Sequence, residues 1–412
     1  MSRKAYLSIG GIATAALLAA AWQVGAISKA GTAAAIFRDE GPTGLARKLA
    51  GRPGIPWESA APQSRGFVAA RLDTLVDRLR SRSTDVFLLA RGGAIVSEWY
   101  APDYGPDTPF GMAAMAKAVT GSMALLLTLA DGRVDLDDPV GDYHANWALD
   151  SSKSRITIRQ LASHSSGLDD VDFTAAGDGW KRYYYENPDQ RFQLALERAP
   201  TLFDPGEHQL YCGLGYYVLA YVLTKGRQGL PQADLATLLR ERLFEPLGIP
   251  RRAWDLSYGE SYEYHGLRLY AIGSGGAITA RAAARIGQLV LDRGNWQGEQ
   301  LIPVVWVDTL RSLVPLPAER RMDPTELGAG LGWWMNSDRL VSSLPRDAMV
   351  GLGNGDRVLL VVPSLDLVMV RSGDLLAPAE GAAIWKNPWS RLDEYLFGPM
   401  MATMEDSLPI ER

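Results

Sequence analysis

Hydrolysis through an acyl intermediate needs a nucleophile beside a base, and two common serine arrangements are missing from this chain. A Ser-x-x-Lys motif would place both groups on one face of a helix. No lysine of this chain follows a serine by three positions. The residues three positions before the lysines are Met1, Ala26, Leu45, Ala114, Asp150, Asp178, Val222 and Ala383. A Gly-x-Ser-x-Gly elbow is also missing, which argues against an α/β-hydrolase site.

Cys212 is the only cysteine, so it is the only candidate for a thiol nucleophile and cannot form an intramolecular disulfide. It directly follows Tyr211. Neighbouring residues of an extended segment point in opposite directions, so we expect the thiol to face away from the Tyr211 phenol. The sequence contains no zinc-like spacing of cysteine and histidine, and we expect neither a metal nor a cofactor.

Several short sequence motifs occur in a characteristic order along the chain. They are Phe110-Gly-Met-Ala-Ala-Met-Ala-Lys117, Ser163-His164-Ser-Ser-Gly167, Pro205-Gly-Glu-His-Gln-Leu-Tyr211, Gly273-Ser-Gly-Gly276 and Leu331-Gly-Trp-Trp334. Their order resembles the penicillin-recognising serine hydrolases, which comprise class C β-lactamases, D,D-peptidases, esterases and amide-oligomer hydrolases. The resemblance covers roughly residues 65–395.

The resemblance implies an α+β, β-lactamase/transpeptidase-like fold and assigns a catalytic set. Lys117 matches the family's helix lysine, and Tyr211 matches the tyrosine that acts as general base and then acid. The nucleophile position falls on Ala114. Because a methyl group cannot attack a carbonyl carbon, the acyl-enzyme route is closed in the chain as written.

Two further elements of the resemblance are altered. The Asn or Ser that follows the family's tyrosine by two positions is replaced by Gly213. The Lys/His-Thr/Gly-Gly strand that borders the cleft aligns best with Gly353-Asn354-Gly355, so its cationic or imidazole side chain would fall on Gly353. The family's His-Thr-Ser-Gly phrase is structural, which makes His164 a poor candidate for catalysis. Gly273–Gly276 is expected to be a close backbone approach beside the cleft.

Three readings of Ala114 remain open. In the first, catalysis was lost naturally and the protein is a binding or accessory subunit that keeps the cleft. In the second, the native protein is an active esterase, amide-oligomer hydrolase or D,D-peptidase with serine at 114, seen here as a Ser-to-Ala variant. In the third, Tyr211 and Lys117 activate water directly. A small ester, amide or peptidoglycan-like ligand suits all three.

The elements that must carry these residues follow from apolar periodicity. It predicts helices over Gly66–Arg82 and Ala113–Ala130 and a hairpin over Asp85–Tyr100, with a turn at Arg91-Gly92-Gly93. It predicts strands over 357–362 and 367–371, and a last helix near 390–397. Strands near both chain ends with helices between them indicate one antiparallel sheet flanked by helices and a helical subdomain inserted over about 136–270.

The N-terminus predicts a membrane anchor. Arg3 and Lys4 precede an uncharged run from Ala5 to Ser28, which is long enough to span a bilayer. A cleaved signal peptide is the alternative. Basic residues stay cytoplasmic, which predicts one pass through the inner membrane with a periplasmic body. We therefore divide the chain into an anchor (1–28), a linker (29–65), a β-lactamase-related domain (66–398) and a tail (399–412).

The amino-acid composition limits which classes of binding partner to expect. The net charge is −5 with 22% charged residues, which gives no basic footprint for nucleic acid. A membrane-anchored protein without its nucleophile is expected to act with a partner in a membrane-protein complex.

Overall fold

A computed structural model describes residues 57–170, 183, 184, 186–377 and 387–405. The predicted anchor (1–28) lies outside the described residues, as does the linker up to residue 56. The last part of that linker packs on the body: Pro62–Arg65 forms a 3-10 turn, and Ser59 pairs with Ile95. Among the described residues, one helical segment, Ala113–Ala130, is long and apolar enough to span a bilayer, but 83% of it is buried inside the protein.

A seven-stranded antiparallel sheet forms the centre of the molecule. The strands of the described residues are β1 Thr84–Arg91, β2 Ala94–Tyr100, β3 Phe110–Gly111, β4 Trp254–Asp255, β5 Tyr262–Tyr264, β6 Leu267–Leu269, β7 Ala277–Ile278, β8 Asn295–Trp296, β9 Glu299–Gln300, β10 Gly328–Ala329, β11 Trp334–Met335, β12 Met349–Gly353, β13 Arg357–Val362 and β14 Leu367–Gly373. The order in the large sheet is β10-β11-β12-β13-β14-β1-β2. β1 pairs with β14, which confirms that strands from the two ends of the chain share one sheet.

Helices cover both faces of this sheet. They are α1 Ala69–Arg80, α2 Met123–Ala130, α3 Ala145–Leu149, α4 Ile158–Ala162, α5 Arg191–Glu197, α6 Leu214–Gly226, α7 Leu235–Leu239, α8 Ala280–Leu291, α9 Val304–Ser312, α10 Pro388–Leu392 and α11 Gly398–Met401. The part of the chain predicted as an inserted helical subdomain contains α3 to α7.

The two faces of the sheet bury two separate hydrophobic cores, because successive strand residues point to opposite sides. In β1, Val86 and Leu88 face the core shared with the central helix and the helical subdomain. Phe87 and Leu89 face the core shared with α1 and the C-terminal helices. The segment Ala113–Ala130 lies in the first core and contacts β12 at its start.

The C-terminal boundary predicted at residue 398 lies inside the folded body. Helix α11 continues to Met401, Met400 is fully buried, and Met404 pairs with Phe67 near the start of the domain. The predicted tail therefore begins too early, because an apolar Met-rich segment follows Phe397 and closes the second core.

Candidate functional site

The predicted nucleophile position lies in a tight turn at the start of the central helix. Ala113 has a left-handed φ of +49°, and Ala113–Met115 forms a 3-10 turn before the helix continues. Ala114 is half-buried in this turn and precedes Lys117 by three residues, which is the spacing of a Ser-x-x-Lys motif.

Lys117 is buried and held by two acceptors. Its ammonium donates to the Tyr211 hydroxyl at 2.7 Å and to the Gly273 carbonyl at 2.8 Å. Burial lowers the pKa of Lys117 from 10.5 to about 8, and the nearby Asp170 carboxylate offsets part of that effect. A lysine in this state can take up or release a proton near neutral pH.

His164 holds the segment around Tyr211 through hydrogen bonds to the residues on either side of the tyrosine. The Leu210 N–H donates to the His164 carbonyl at 2.9 Å, and the Cys212 N–H donates to His164 Nδ1 at 3.1 Å. The two rings lie 4.8 Å apart, and Trp334 stacks on both. His164 adopts φ +56° and is buried, so its ring positions the tyrosine. These contacts agree with the structural role that the sequence analysis expects of His164.

Asp170 is a site residue that the sequence motifs did not indicate. Its Oδ1 accepts from the Leu214 N–H at 3.2 Å, at the first turn of α6. A β-carbon built on Gly213 would lie 3.5 Å from the same oxygen. A carboxylate thus lies beside the position where the family's Asn or Ser side chain is missing. Burial raises the pKa of Tyr211 well above its usual value, and the Asp170 charge adds to that effect. The same charge offsets part of the lowering of the Lys117 pKa.

Cys212 does not form a nucleophilic site. The side chain is buried, and its sulfur accepts from the Gly215 N–H at 3.3 Å. Burial raises the pKa of the thiol well above its usual value, with Asp170 adding to the effect. The reactive thiolate form is therefore disfavoured. The sequence argument against Cys212 was a different one, and that the thiol faces away from Tyr211 stays a prediction.

The glycine-rich turn after β12 borders the start of the central helix. A β-carbon on Gly353 would lie 2.4 Å from the Met112 carbonyl oxygen and 3.0 Å from the Met115 nitrogen. The sequence argument treated Gly353 as a position that has lost a cationic side chain. The packing shows a different reason for glycine, because no side chain fits there while the turn holds its place. Asn354 is exposed at the tip, and Gly355 adopts φ +78°.

Gly273 is a close backbone approach, as expected. A β-carbon there would lie 2.3 Å from Cβ of Tyr216, so only glycine brings its carbonyl to Lys117. The described part of the chain contains no cluster of ligating side chains suited to a metal ion. The site thus combines a hydrogen-bonded Lys117–Tyr211 pair with the methyl group of Ala114 three residues before the lysine.

The family model for beta-lactamase matches residues 72–372. This chain belongs to the beta-lactamase family. The chain is 25% identical over 253 residues to the 6-aminohexanoate-dimer hydrolase of Paenarthrobacter ureafaciens, covering 59% of this chain and 61% of that protein. It is 29% identical over 146 residues to the D-aminopeptidase of Brucella anthropi, covering 35% of this chain and 26% of that one. It therefore spans less than two thirds of these relatives.

The fold agrees with this family. A penicillin-binding protein homolog from Caulobacter crescentus superposes with a TM-score of 0.60 at 17% identity, covering 81% of this chain and 99% of that chain. The β-lactamase/transpeptidase-like architecture predicted from the sequence is thereby confirmed. That position 114 is the family's nucleophile position stays a prediction.

Proposed function

We propose that this member of the beta-lactamase family is a non-catalytic binding or accessory protein that retains the hydrolase cleft. The proposal rests on the pairing of two features at one place. The Lys117–Tyr211 hydrogen bond is kept at 2.7 Å, while residue 114, one turn ahead of the lysine, carries only a methyl group. Without a covalent nucleophile, a bound ester or amide has no acyl-enzyme route.

Covalent labelling tests this proposal directly. The protein is incubated with a fluorescent penicillin, and nitrocefin and p-nitrophenyl acetate are followed for a burst and for turnover. We expect no labelled band and no burst. Loss of an activated nucleophile lowers turnover by several orders of magnitude, so only residual hydrolysis should remain. Clear acylation by the penicillin would overturn the proposal.

An active serine hydrolase with Ser at 114 in its native gene is the second candidate. The observation that favours it is the intact Lys117 environment, since a buried lysine with a pKa of about 8 suits activation of a hydroxyl. Its substrates would be short esters, amide oligomers or peptidoglycan stems. The sequence of codon 114 in the native gene distinguishes the two candidates.

Substitution offers a second test of the same choice. If Ala114→Ser restores penicillin labelling and ester turnover, the other site residues can support catalysis, and the result favours the active-hydrolase hypothesis. If Ala114→Ser folds normally but stays inactive, the result favours the non-catalytic hypothesis. Ala113→Ser, one residue earlier on the same turn, is the matched control, because its hydroxyl is not one turn ahead of Lys117.

We further propose that residues 1–28 anchor the protein in the inner membrane and that the body acts with a membrane-protein partner on the periplasmic side. The support is the uncharged run from Ala5 to Ser28 behind Arg3 and Lys4. Affinity capture from detergent-solubilised membranes tests the partnership. Recovery of the protein alone, under conditions that preserve other complexes, would count against it.

A further inference from the structure

A cavity of about 400 Å³ lies at the corner of the body where the chain enters from the linker. Its wall includes two arginines and two carboxylates, which are Arg65, Arg91, Asp366 and Glu405. Trp57, the first described residue, donates from its Nε1 to the Gly93 carbonyl at 2.7 Å. Gly93 belongs to the β1–β2 turn that borders this cavity. The N-terminal segment therefore joins the body beside the cavity.

The four charged side chains are held apart. In the described part of the chain, no salt bridge joins any of them to another charged side chain. Arg91 donates instead to two backbone carbonyls, those of Leu365 at 3.0 Å and Arg65 at 2.9 Å. A β-carbon on Gly92 would lie 2.8 Å from Nη1 of Arg65 and 3.8 Å from Oδ2 of Asp366. A guanidinium and a carboxylate therefore border one open space without forming an ion pair across it.

Arg65 carries a hydrogen-bond donor that lacks an acceptor. Its Nε is buried, and no atom of the described residues accepts from it. A buried donor without a partner costs free energy, so folded proteins rarely keep one without a reason. An anionic group bound in the cavity would supply the missing acceptor.

We infer that this cavity binds a phosphoethanolamine group, with its phosphate at Arg65 and Arg91 and its ammonium at Asp366 and Glu405. Guanidinium groups suit phosphate oxygens, and carboxylates form charged hydrogen bonds with an ammonium. A ligand of one sign would leave two like charges of the cavity without a partner, whereas a zwitterion pairs with all four. The group occurs both as a phospholipid headgroup and in free phosphodiesters. The site lies outside the cleft and goes beyond the proposed function.

The cavity lies at the opposite end of the sheet from the turn that borders the start of the central helix. Arg91, beside the cavity, ends β1, and Thr84 begins it. Arg371 donates to the Gly355 carbonyl at 2.7 Å and to the Thr84 hydroxyl at 3.1 Å, which places that turn at the start of β1. An eight-residue strand is roughly 25 Å long. A lipid headgroup in the cavity would therefore hold the body with this turn directed away from the membrane.

Calorimetry on the full-length protein in maltoside micelles tests the site. The probes are glycerophosphoethanolamine, glycerophosphoglycerol, which is a phosphodiester without the amine, and ethanolamine, which lacks the phosphate. We expect glycerophosphoethanolamine to bind at least about tenfold more tightly than either, because only this probe pairs with charges of both signs. Equal affinity for glycerophosphoglycerol or inorganic phosphate, or no binding of glycerophosphoethanolamine in the millimolar range, would overturn the site.

Substitutions assign the two halves of the ligand. Arg65→Gln should weaken binding of glycerophosphoethanolamine about tenfold or more. Glu405→Gln should reduce its advantage over glycerophosphoglycerol severalfold. Arg78→Gln changes an exposed arginine of α1 that does not line the cavity, and this matched control should bind like the wild type. Thermal unfolding shows that each variant folds, and unchanged binding by folded Arg65→Gln would overturn the assignment.

Mixed micelles distinguish the two sources of the group. If a lipid headgroup reaches the cavity, added phosphatidylethanolamine should weaken the apparent affinity for glycerophosphoethanolamine severalfold, and phosphatidylglycerol at the same fraction should not. An unchanged affinity with both lipids would assign the site to free phosphodiesters and overturn the lipid-held orientation.

The outcome is separable from that of the proposed function. Equal affinities of the probes would remove the site and leave the absence of acylation and the proposed anchor as they are. Release of the protein from membranes would end the proposed anchor without changing the affinities of the soluble probes.

Discussion

At the scale of single residues, the site contains a buried lysine, Lys117, and burial of a charged side chain costs free energy. Such buried ionisable groups are common in active sites. Lys117 is buried in a place that disfavours its charged form, while Tyr211 and Gly273 accept its hydrogen bonds. Active sites are where burial and neighbouring charges commonly shift pKa values. The proposed binding role is compatible with this arrangement, because the same groups can hold a carbonyl or amide of a ligand.

The lowered pKa of Lys117 predicts how stability depends on pH. In the unfolded chain the lysine titrates near 10.5, and in the folded protein at about 8. Between these values the unfolded state binds more protons, so the free energy of unfolding rises with pH. From pH 7.5 to 9.5 we expect Lys117 to contribute a gain of about 2 kcal/mol. Chemical denaturation at several pH values measures it.

Lys117→Met should remove this pH dependence of the free energy of unfolding, whether the substitution raises or lowers that free energy at any single pH. Lys225→Met, which changes an exposed lysine at the end of α6, should keep the wild-type dependence. Cys212, whose thiol pKa is raised by burial, opposes part of this rise once the unfolded cysteine ionises, and the buried tyrosines oppose it at higher pH. Both opposing effects are shared by the wild type and Lys117→Met, so the difference between the two proteins reports on Lys117. The same rise in Lys117→Met as in the wild type would show that Lys117 is not its source.

His164 predicts a second residue-level effect, because it supplies the acceptor for the Cys212 N–H behind Tyr211. Truncation leaves a buried donor unpaired and creates a cavity among aromatic rings. We expect His164→Ala to lower the free energy of unfolding by about 2–4 kcal/mol. His164→Asn should lose less, since its carbonyl can accept and Asn tolerates φ above zero.

His208→Ala is the matched control, because that side chain is 36% exposed in a loop, and its change should stay within about 0.5 kcal/mol. Urea unfolding of the three variants provides the comparison. An equal, small loss for His164→Ala and His208→Ala would contradict the positioning role.

At the scale of elements, apolar periodicity identified helices and strands that have one buried and one exposed face, or that end in turn residues. The hairpin predicted over Asp85–Tyr100 is β1 and β2, with Gly92 and Gly93 at positive φ in the turn. The strands predicted at 357–362 and 367–371 are β13 and β14. The helix predicted over Gly66–Arg82 is α1, Ala69–Arg80.

Other elements carried no signal that periodicity could detect. β12 has glycines at 351 and 353, which weaken any strand prediction, yet close packing against the central helix requires them. The start of that helix combines a 3-10 turn with a π-type segment, Lys117–Ser122, which apolar periodicity does not distinguish from a regular helix. Asp170 belongs to no motif, and only the fold brings it next to Gly213 and the Leu214 N–H.

Gly353 yields the prediction at this scale. A β-carbon there would meet two backbone atoms of the turn at the start of the central helix, and backbone cannot swing away as a flexible side chain can. We expect Gly353→Ala to lower the free energy of unfolding by about 1–3 kcal/mol, the usual cost of overpacking. Thermal unfolding measures the effect.

Gly111→Ala is the matched control for this change. A β-carbon on Gly111 meets nothing within 4 Å, and the residue lies just before the same turn. Its free energy of unfolding should stay within about 0.5 kcal/mol of the wild type. If Gly353→Ala were as harmless as Gly111→Ala, β12 would not lie against the nucleophile turn as described.

At the scale of the whole molecule, both cores close within the described part of the chain. The sheet joins strands from each end through the β1–β14 pairing, and Met404 pairs with Phe67. Among the described residues, the side chains that form and cover these cores lie between Trp57 and Met404. We expect this body to fold without the proposed anchor.

The corresponding prediction concerns the first 56 residues. The full-length protein should remain in the membrane fraction after carbonate extraction, because about 20 apolar residues suffice to span a bilayer. A variant that lacks residues 1–56 should be recovered in the soluble fraction with the same thermal unfolding transition, since neither core loses a described side chain. Leu17→Lys combined with Leu18→Lys should release the full-length protein as well, because charges at the centre of a span oppose insertion. Full-length protein in the soluble fraction would contradict the anchor, whereas membrane retention of the shortened variant would place the membrane contact on the body itself.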